Sequence, residues 1–141
     1  MKQIFAILFM TLAFCFSVSA QAKKPALPTN LVKYVDKYPD DLLKVASVKT
    51  RLKTLLGKKY STFDQYIATQ MPLKMVGDFL VGSGCLPHSC TISEAAFAID
   101  VKNKRIHAVI YNQNIAPKYY NEDNASTPQA LIDWVEDLKK M

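Results

Sequence analysis

Residue types that enzymes use most are scarce in this sequence. Its 141 residues include two histidines, three cysteines and four glycines. No Gly-x-Ser-x-Gly nucleophile motif, no His-x-x-x-His pair and no glycine-rich phosphate loop occurs. Two carboxylate pairs are present, but Asp40-Asp41 and Glu136-Asp137 fall at predicted helix ends or on surface faces. The composition therefore argues against an enzyme, and we expect no metal ion and no cofactor.

One long apolar run stands at the start of the chain. A lysine precedes apolar residues 4–16, and Val18-Ser19-Ala20 offers small side chains at the cleavage positions. This pattern is typical of a secretory signal peptide, and the run is too short for a good membrane span. We expect a signal peptide over residues 1–20 and a single domain over residues 21–141, with cleavage after Ala22 as the alternative.

A cysteine inside this run raises the question of a lipid anchor. The residue before Cys15 is Phe14, which is too large for a lipoprotein signal, so we expect no stable membrane anchor after cleavage. If Cys15 leaves with the signal, Cys85 and Cys90 are the two cysteines of the mature chain. Export places them where disulfides persist.

The basic excess is concentrated near the start of the domain. The chain has a formal net charge of +6, or +5 without the signal. Residues 23–60 carry ten basic and three acidic side chains, whereas residues 61–141 carry seven and nine. Nucleic acid is the usual partner of a basic patch, but export and the lack of an aromatic–basic motif argue against it. We expect a solvated helix face, with an anionic envelope surface as the alternative contact.

The hydrophobic period changes along the chain from helical to alternating. A flexible arm is predicted over residues 21–30, followed by helices over about 30–37, 41–56 and 62–70. Asp40 is the predicted N-cap of the helix 41–56 and Gly57 ends it, while Pro72 ends the helix 62–70. Strands are predicted over 73–76, 78–84, 91–100 and 105–111, followed by a polar loop over 112–125 and a last helix with Thr127 as cap and Pro128 at its first position. The short connections make the strands an antiparallel meander. The predicted fold class is α+β, with helices packed on the sheet.

The two histidines have different settings. His107 lies mid-strand with Val109 on the same side, where a histidine is usually structural. His88 follows Pro87, whose ring fixes one backbone angle. These contexts predict a buried, structural His107 and leave His88 as the candidate for a functional role.

His88 lies in the stretch Cys85-Leu86-Pro87-His88-Ser89-Cys90, between two predicted strands. A disulfide would close this stretch into a ring that presents the imidazole outward. Gly82 and Gly84 would permit a bulge or bend that aims the ring away from the sheet. Two alternatives are a stapled turn with an idle histidine, and a metal site, for which a fourth ligand is missing.

The stretch resembles the Cys-Lys-Pro-His-Asp-Cys loop of the Ivy family, the inhibitors of vertebrate lysozyme in the periplasm of Gram-negative bacteria. The signal peptide, the size and the helix-then-meander order around the loop agree with this family. The resemblance covers about residues 38–111. The resemblance implies a periplasmic inhibitor of c-type lysozyme, with homodimer formation as a further expectation. It also implies roles for residues 85–90: a lysozyme-binding loop of Leu86, Pro87, His88 and Ser89 enters the cleft, His88 meets the two catalytic carboxylates, and a disulfide joins Cys85 to Cys90.

Two positions of the loop depart from the family pattern. Leu86 replaces the family's lysine and Ser89 its aspartate, so both charges beside the histidine are absent. Vertebrate lysozymes are cationic, and a mature chain of +5 would be steered toward them unfavourably. The alternative function is therefore an envelope binding module for another muramidase, a lytic transglycosylase or the peptidoglycan and membrane surface.

Overall fold

The computed structural model describes residues 23–141. The predicted signal peptide, with Cys15 and the cleavage sites at Ala20 and Ala22, lies outside the described residues. The described part of the predicted arm has no regular structure, yet Leu27 is buried in the core and the Pro25 carbonyl accepts a hydrogen bond from Arg51. None of the helices of residues 23–141 is long and apolar enough to cross a membrane.

The elements follow the order expected from the sequence, helices first and then a meander. They are a 3-10 turn Val32–Tyr34, α1 Pro39–Leu43, α2 Ala46–Leu56, a 3-10 turn Gly57–Lys59, α3 Tyr60–Tyr66, β1 Thr69–Val76, β2 Phe79–Cys85, β3 Ser93–Asp100, β4 Arg105–Asn112, β5 Ile115–Asn121, a 3-10 turn Glu122–Asn124 and α4 Gln129–Leu138. The five strands form one antiparallel sheet in the order β1-β2-β3-β4-β5. The α+β class is confirmed.

Helices cover both faces of the sheet, and the central strand β3 has apolar side chains on both of its faces. Phe97 and Ile99 point into the core that α1, α2 and α3 complete, while Ala96 and Ala98 point into the smaller core that α4 completes. Because successive side chains of a strand alternate between faces, the sequence predicts Ala95, Phe97 and Ile99 on one face and Ile92, Ala96 and Ala98 on the other. The structure confirms this division within β3, whereas Ile92 precedes the strand and is exposed. Both faces of this strand are buried, which fixes its register.

The polar loop predicted over 112–125 is wrong, because half of it forms β5 and its first residue is the last of β4. Val109 of β4 pairs with Tyr119, and Ala108 pairs with Tyr120. The tyrosines suit a strand, whereas Pro117 is tolerated because β5 lies at the edge of the sheet. The asparagines on either side of this segment masked the strand in the sequence.

The helix predicted over 41–56 is broken in two. Pro39 occupies the first turn of α1 with Tyr38 at its N-cap, so Asp40 lies in the first turn and is not the cap. The chain then leaves the helical path at Val45, and α2 begins at Ala46. Its end at Gly57 agrees with the prediction, since that glycine has a φ of 53°.

Two other helix boundaries also differ from the prediction. The helix expected over 62–70 ends at Tyr66, so Pro72 lies inside β1. Pro128 occupies the N-cap of α4, one position before its predicted place. The Thr127 hydroxyl accepts a hydrogen bond from the Asn121 amide 2.9 Å away, and no side chain caps the helix.

The predicted bend at Gly82 and Gly84 is wrong, because β2 pairs with β3 without a register shift. The shift occurs in β1, between Met71 and Lys74. A Cβ atom on Gly82 would lie 2.6 Å from the Phe97 ring, and one on Gly84 would lie 2.6 Å from the Thr69 carbonyl. These glycines therefore permit close packing at the centre of the sheet.

A buried ion pair joins α2 to the turn after β5. The Arg51 guanidinium binds both carboxylate oxygens of Glu122, with Nε 2.9 Å from Oε1. Arg51 also donates to the Lys104 carbonyl at 2.7 Å, and Glu122 accepts the Ile106 amide at 2.8 Å. Because both charges are buried and their hydrogen-bonding atoms are used, this cluster is structural.

The turn between β3 and β4 is organised by one carboxylate. Asp100 accepts hydrogen bonds from the backbone amides of Lys102 and Asn103 and from the Asn103 side chain, at 2.7 to 3.0 Å. Burial by itself raises the pKa of Asp100, but these hydrogen bonds outweigh it and the pKa is lowered. The folded turn therefore favours the ionised carboxylate.

Candidate functional site

The stretch 85–90, called the ring below, lies at the tip of the β2–β3 hairpin. Cys85 is the last residue of β2 and is buried, whereas Cys90 is exposed. A disulfide joins the two across a Cα–Cα distance of 4.9 Å. The ring is therefore a covalently closed turn whose base is fixed by the central strands of the sheet.

A tight turn forms the crest of the ring. The Ser89 amide donates to the Leu86 carbonyl at 2.9 Å and encloses Pro87 and His88. Proline at the first central position and a φ of 63° at His88 match a type II turn. Pro87 and His88 are exposed, while Leu86 and Ser89 are half-buried. The four predicted loop residues thus lie together, and the imidazole stands at the crest.

Backbone hydrogen bonds attach the ring to the start of β3. The Leu86 amide donates to the Ser93 carbonyl at 2.9 Å, and the Ser93 amide returns a bond of 2.9 Å to the Ser89 carbonyl. These bonds use the main chain at both ends of the turn. The side chains of Leu86 and Ser89 are therefore not what gives the ring its shape.

The β4–β5 turn lies beside the ring. The Gln113 amide donates to the Ile92 carbonyl at 2.9 Å, and the Asn112 side chain donates to the Ser93 hydroxyl at 3.0 Å. Ile92 and Ile115 both expose apolar side chains in this region. Ile92 follows the ring by two residues, and Ile115 begins β5 after the turn that bonds to Ile92. The link between the ring and this turn was not identified from the sequence, because it depends on the missed strand β5.

An open groove of about 550 Å³ runs along the other side of the ring. The disulfide forms one wall, and the opposite wall comes from Trp134 and Leu138 of α4. Met71 and Glu94 also line it. Burial raises the pKa of the Glu94 carboxyl, and a hydrogen bond from the Thr91 amide opposes this rise. Glu94 was not identified from the sequence, since nothing in its spacing links it to the ring.

His107 has the structural role that the sequence predicted. It is buried, its Nδ1 lies 2.8 Å from the Asn121 side-chain oxygen, and its ring packs edge-on against Phe79. In residues 23–141 no group of three potential ligands is placed to hold a metal ion. The acidic pairs at Asp40-Asp41 and Glu136-Asp137 lie on the surface.

Comparison with known proteins identifies the family of this chain. The model of the family "Inhibitor of vertebrate lysozyme (Ivy)" matches residues 47–141. The chain belongs to this family. The match includes the ring and continues through α4, so it covers the C-terminal part that the resemblance in the sequence had not reached. An inhibitor family agrees with the expectation that the chain is not an enzyme.

A second comparison gives a partial match. "Uncharacterized protein y4bG" of Sinorhizobium fredii (strain NBRC 101917 / NGR234) is 31% identical over 71 residues, which make up 50% of this chain and 26% of that protein. The chain thus spans about a quarter of the length of that relative. No solved structure matches the chain.

Proposed function

We propose that this chain is an exported periplasmic protein that inhibits a c-type lysozyme by inserting the ring into the active-site cleft. In this proposal the signal peptide is removed and residues 21–141 act as one domain. The observation that supports it best is an exposed imidazole at the crest of a disulfide-closed turn, in a member of a lysozyme-inhibitor family. Leu86, Pro87, His88 and Ser89 form the contact surface.

The chemistry of a lysozyme cleft suits such a crest. The cleft holds one protonated acid and one ionised carboxylate close together. A single imidazole can hydrogen-bond to both, and as a cation it would neutralise the charge between them. His88 is the only titratable side chain of the crest, so we assign this contact to it.

The closed ring lowers the entropic cost of binding. The disulfide and the two backbone bonds between the ring and Ser93 hold the crest in one conformation before the partner arrives. A loop that is already ordered loses less conformational freedom on association. We therefore expect one dominant contact at His88 surrounded by weaker contacts from its neighbours.

The decisive experiment is lysis of peptidoglycan by a c-type lysozyme with purified residues 21–141 added. We expect inhibition at micromolar protein or below. His88→Ala should weaken it by at least about thirtyfold, because a central contact contributes about 2 kcal/mol. Lys102→Ala, in the exposed turn between β3 and β4, is the matched control and should not change it. Absence of inhibition by the wild-type protein would refute the proposal.

The ring itself can be tested in the same assay. Opening it with the paired changes Cys85→Ser and Cys90→Ser should weaken inhibition, because the loop must then be ordered on binding. Equal inhibition by the oxidised and reduced proteins would contradict the preorganisation argument. Homodimer formation stays a prediction of the family resemblance, and light scattering of the same sample checks it.

A second candidate partner is an envelope muramidase or lytic transglycosylase of the producing cell. It is favoured by the uncharged Leu86 and Ser89 and by the basic excess over residues 23–60. Capture from periplasmic extract on immobilised protein distinguishes the two candidates. Recovery of an endogenous muramidase, lost with His88→Ala, would support the second candidate.

A further inference from the structure

Residues 91–92 lead from the ring back into β3 and are called the return arm below. In the part of the chain that the structure describes, one side chain accepts a hydrogen bond from the backbone of this arm. The Thr91 amide donates to Oε1 of Glu94 at 2.6 Å. The other bonds that shape this region, from Leu86, Ser89 and Ser93, join backbone to backbone. Glu94 is therefore the place where a side chain controls how the return arm leaves the disulfide.

The return arm needs such a contact because its backbone is strained. Thr91 has a φ of 70°, which is a rare conformation for a β-branched residue. His88 has a φ of 63° in the same short segment. Strained backbone of this kind persists only when its surroundings fix it. The Glu94 carboxylate fixes the strained Thr91 by accepting its amide.

The position of Glu94 is itself unusual for a carboxylate. It pairs with Cys85 on one neighbouring strand and Tyr111 on the other, so it sits under the ring on the face covered by α4. It is half-buried in the groove that Trp134 lines. Partial burial of a carboxylate is unfavourable unless hydrogen bonds compensate. The bond to Thr91 supplies this compensation.

We propose that Glu94 is a positioning residue for the ring, whose carboxylate holds Thr91 and thereby sets the direction in which Pro87 and His88 project. The effect on binding rests on the proposed function of the ring. The effect on ring conformation belongs to the free protein and is measured without a partner.

The contact should weaken in acid. An ionised carboxylate is a stronger acceptor than a protonated one, and burial raises the pKa of Glu94. Its protonation should thus begin at a higher pH than that of an exposed glutamate. The other ionisable groups around it are Lys74 across the groove, Tyr111 on β4, Lys139 near Tyr111, and the terminal carboxylate of Met141. A Glu94→Gln variant separates Glu94 from all of these and from His88.

The test follows the Thr91 amide of free residues 21–141 by NMR between pH 3 and 7. The wild-type resonance should titrate with the Glu94 carboxyl, and Glu94→Gln should abolish this titration. Glu94→Ala should raise hydrogen exchange at Thr91 by about tenfold, the loss expected for one charged hydrogen bond. Glu94→Gln should restore part of the protection, since its amide oxygen still accepts. Glu136→Gln, on the exposed face of α4, is the control and should behave as wild type.

The same proteins are then compared in the lysozyme assay at neutral pH. Glu94→Ala should inhibit about tenfold less well, with Glu94→Gln between it and wild type. Unchanged exchange and titration of Thr91 in the two variants would overturn the positioning role. Altered exchange with unchanged inhibition would overturn its effect on the crest. If the wild-type protein does not inhibit while Thr91 responds as described, the proposed function fails and the positioning contact stands.

Discussion

The backbone at His88 leads to a prediction about stability that opposes the one about function. His88 has a φ of 63° at the second central position of the crest turn. A side chain with a Cβ atom costs roughly 1–2 kcal/mol in this conformation, whereas glycine adopts it freely. His88→Gly should therefore remove strain from the folded protein while it removes the imidazole.

The size of the gain follows from two opposing terms. Relief of strain contributes about 1–2 kcal/mol to the free energy of unfolding. Greater freedom of glycine in the unfolded chain subtracts about 0.5–1 kcal/mol. The Cys85–Cys90 disulfide also restricts the unfolded ring, so the subtraction should be at the low end of this range. We expect His88→Gly to be more stable than wild type by about 0.5–1.5 kcal/mol.

Urea unfolding without reductant measures the difference, provided the slope of the transition is unchanged. His88→Ala is the control that loses the imidazole and keeps the strain, so its stability should stay within about 0.5 kcal/mol of wild type. His88→Asn should fall between the two, because asparagine tolerates positive φ better than most residues. A His88→Gly protein less stable than His88→Ala would refute the turn assignment. Both variants should inhibit lysozyme at least about thirtyfold less well than wild type, which would show that the wild-type crest loses stability in exchange for function.

Two further predictions concern the scaffold. Arg51→Ala should destabilise the protein by about 3–5 kcal/mol in urea unfolding, because Glu122 would keep a buried, unpaired charge. Adding Glu122→Gln to that variant should restore part of the lost stability. If the destabilisations of the two substitutions simply added in the double variant, this explanation would be contradicted. Asp100→Asn should cost about 1 kcal/mol at neutral pH, the difference between a charged and a neutral acceptor. Since the folded pKa of Asp100 is lowered, this contribution is present above the ordinary aspartate range and is lost as the pH falls through and below it. A difference between wild type and Asp100→Asn that does not shrink in acid would count against the sign of the shift.

The sequence predicted best those parts of the fold that depend on local pattern. The alternation of β3 predicted which side chains enter each core, because both faces of that strand are buried. The signal for β5 was weak for a physical reason: an edge strand needs fewer apolar residues, and Pro117 is tolerated there. The helical pattern over 41–56 did not reveal the break at Val45, because the apolar side chains before and after the break are buried as they would be in one continuous helix.

Only the part of the candidate site that consists of consecutive residues could be predicted from the sequence. The ring and the exposure of His88 follow from residues 85–90 alone. The contact between Thr91 and Glu94 involves a side chain and a backbone amide three residues apart, and its geometry depends on a positive φ that no propensity predicts for threonine. The β4–β5 turn bonds to Ile92 through the Gln113 amide, and this link depends on the pairing of β4 with β5. The expectation for Gly84 was wrong in a different way. It was expected to bend the chain, but its missing side chain instead lets the backbone of Ile67 and Thr69 approach β2 closely.

The side chains of Leu86 and Ser89, which depart from the family pattern, do not set the shape of the ring. The turn between them is formed by their own main-chain atoms, and the disulfide and the Ser93 bonds fix its base. Exchange of the family's lysine and aspartate for uncharged residues therefore leaves the imidazole at the crest. Charges at the rim of an interface mainly set association rate and salt dependence, whereas a central contact sets the dissociation rate. For this chain we accordingly expect slower, less salt-sensitive association through the crest, with specificity resting on His88 and the apolar side chains around it.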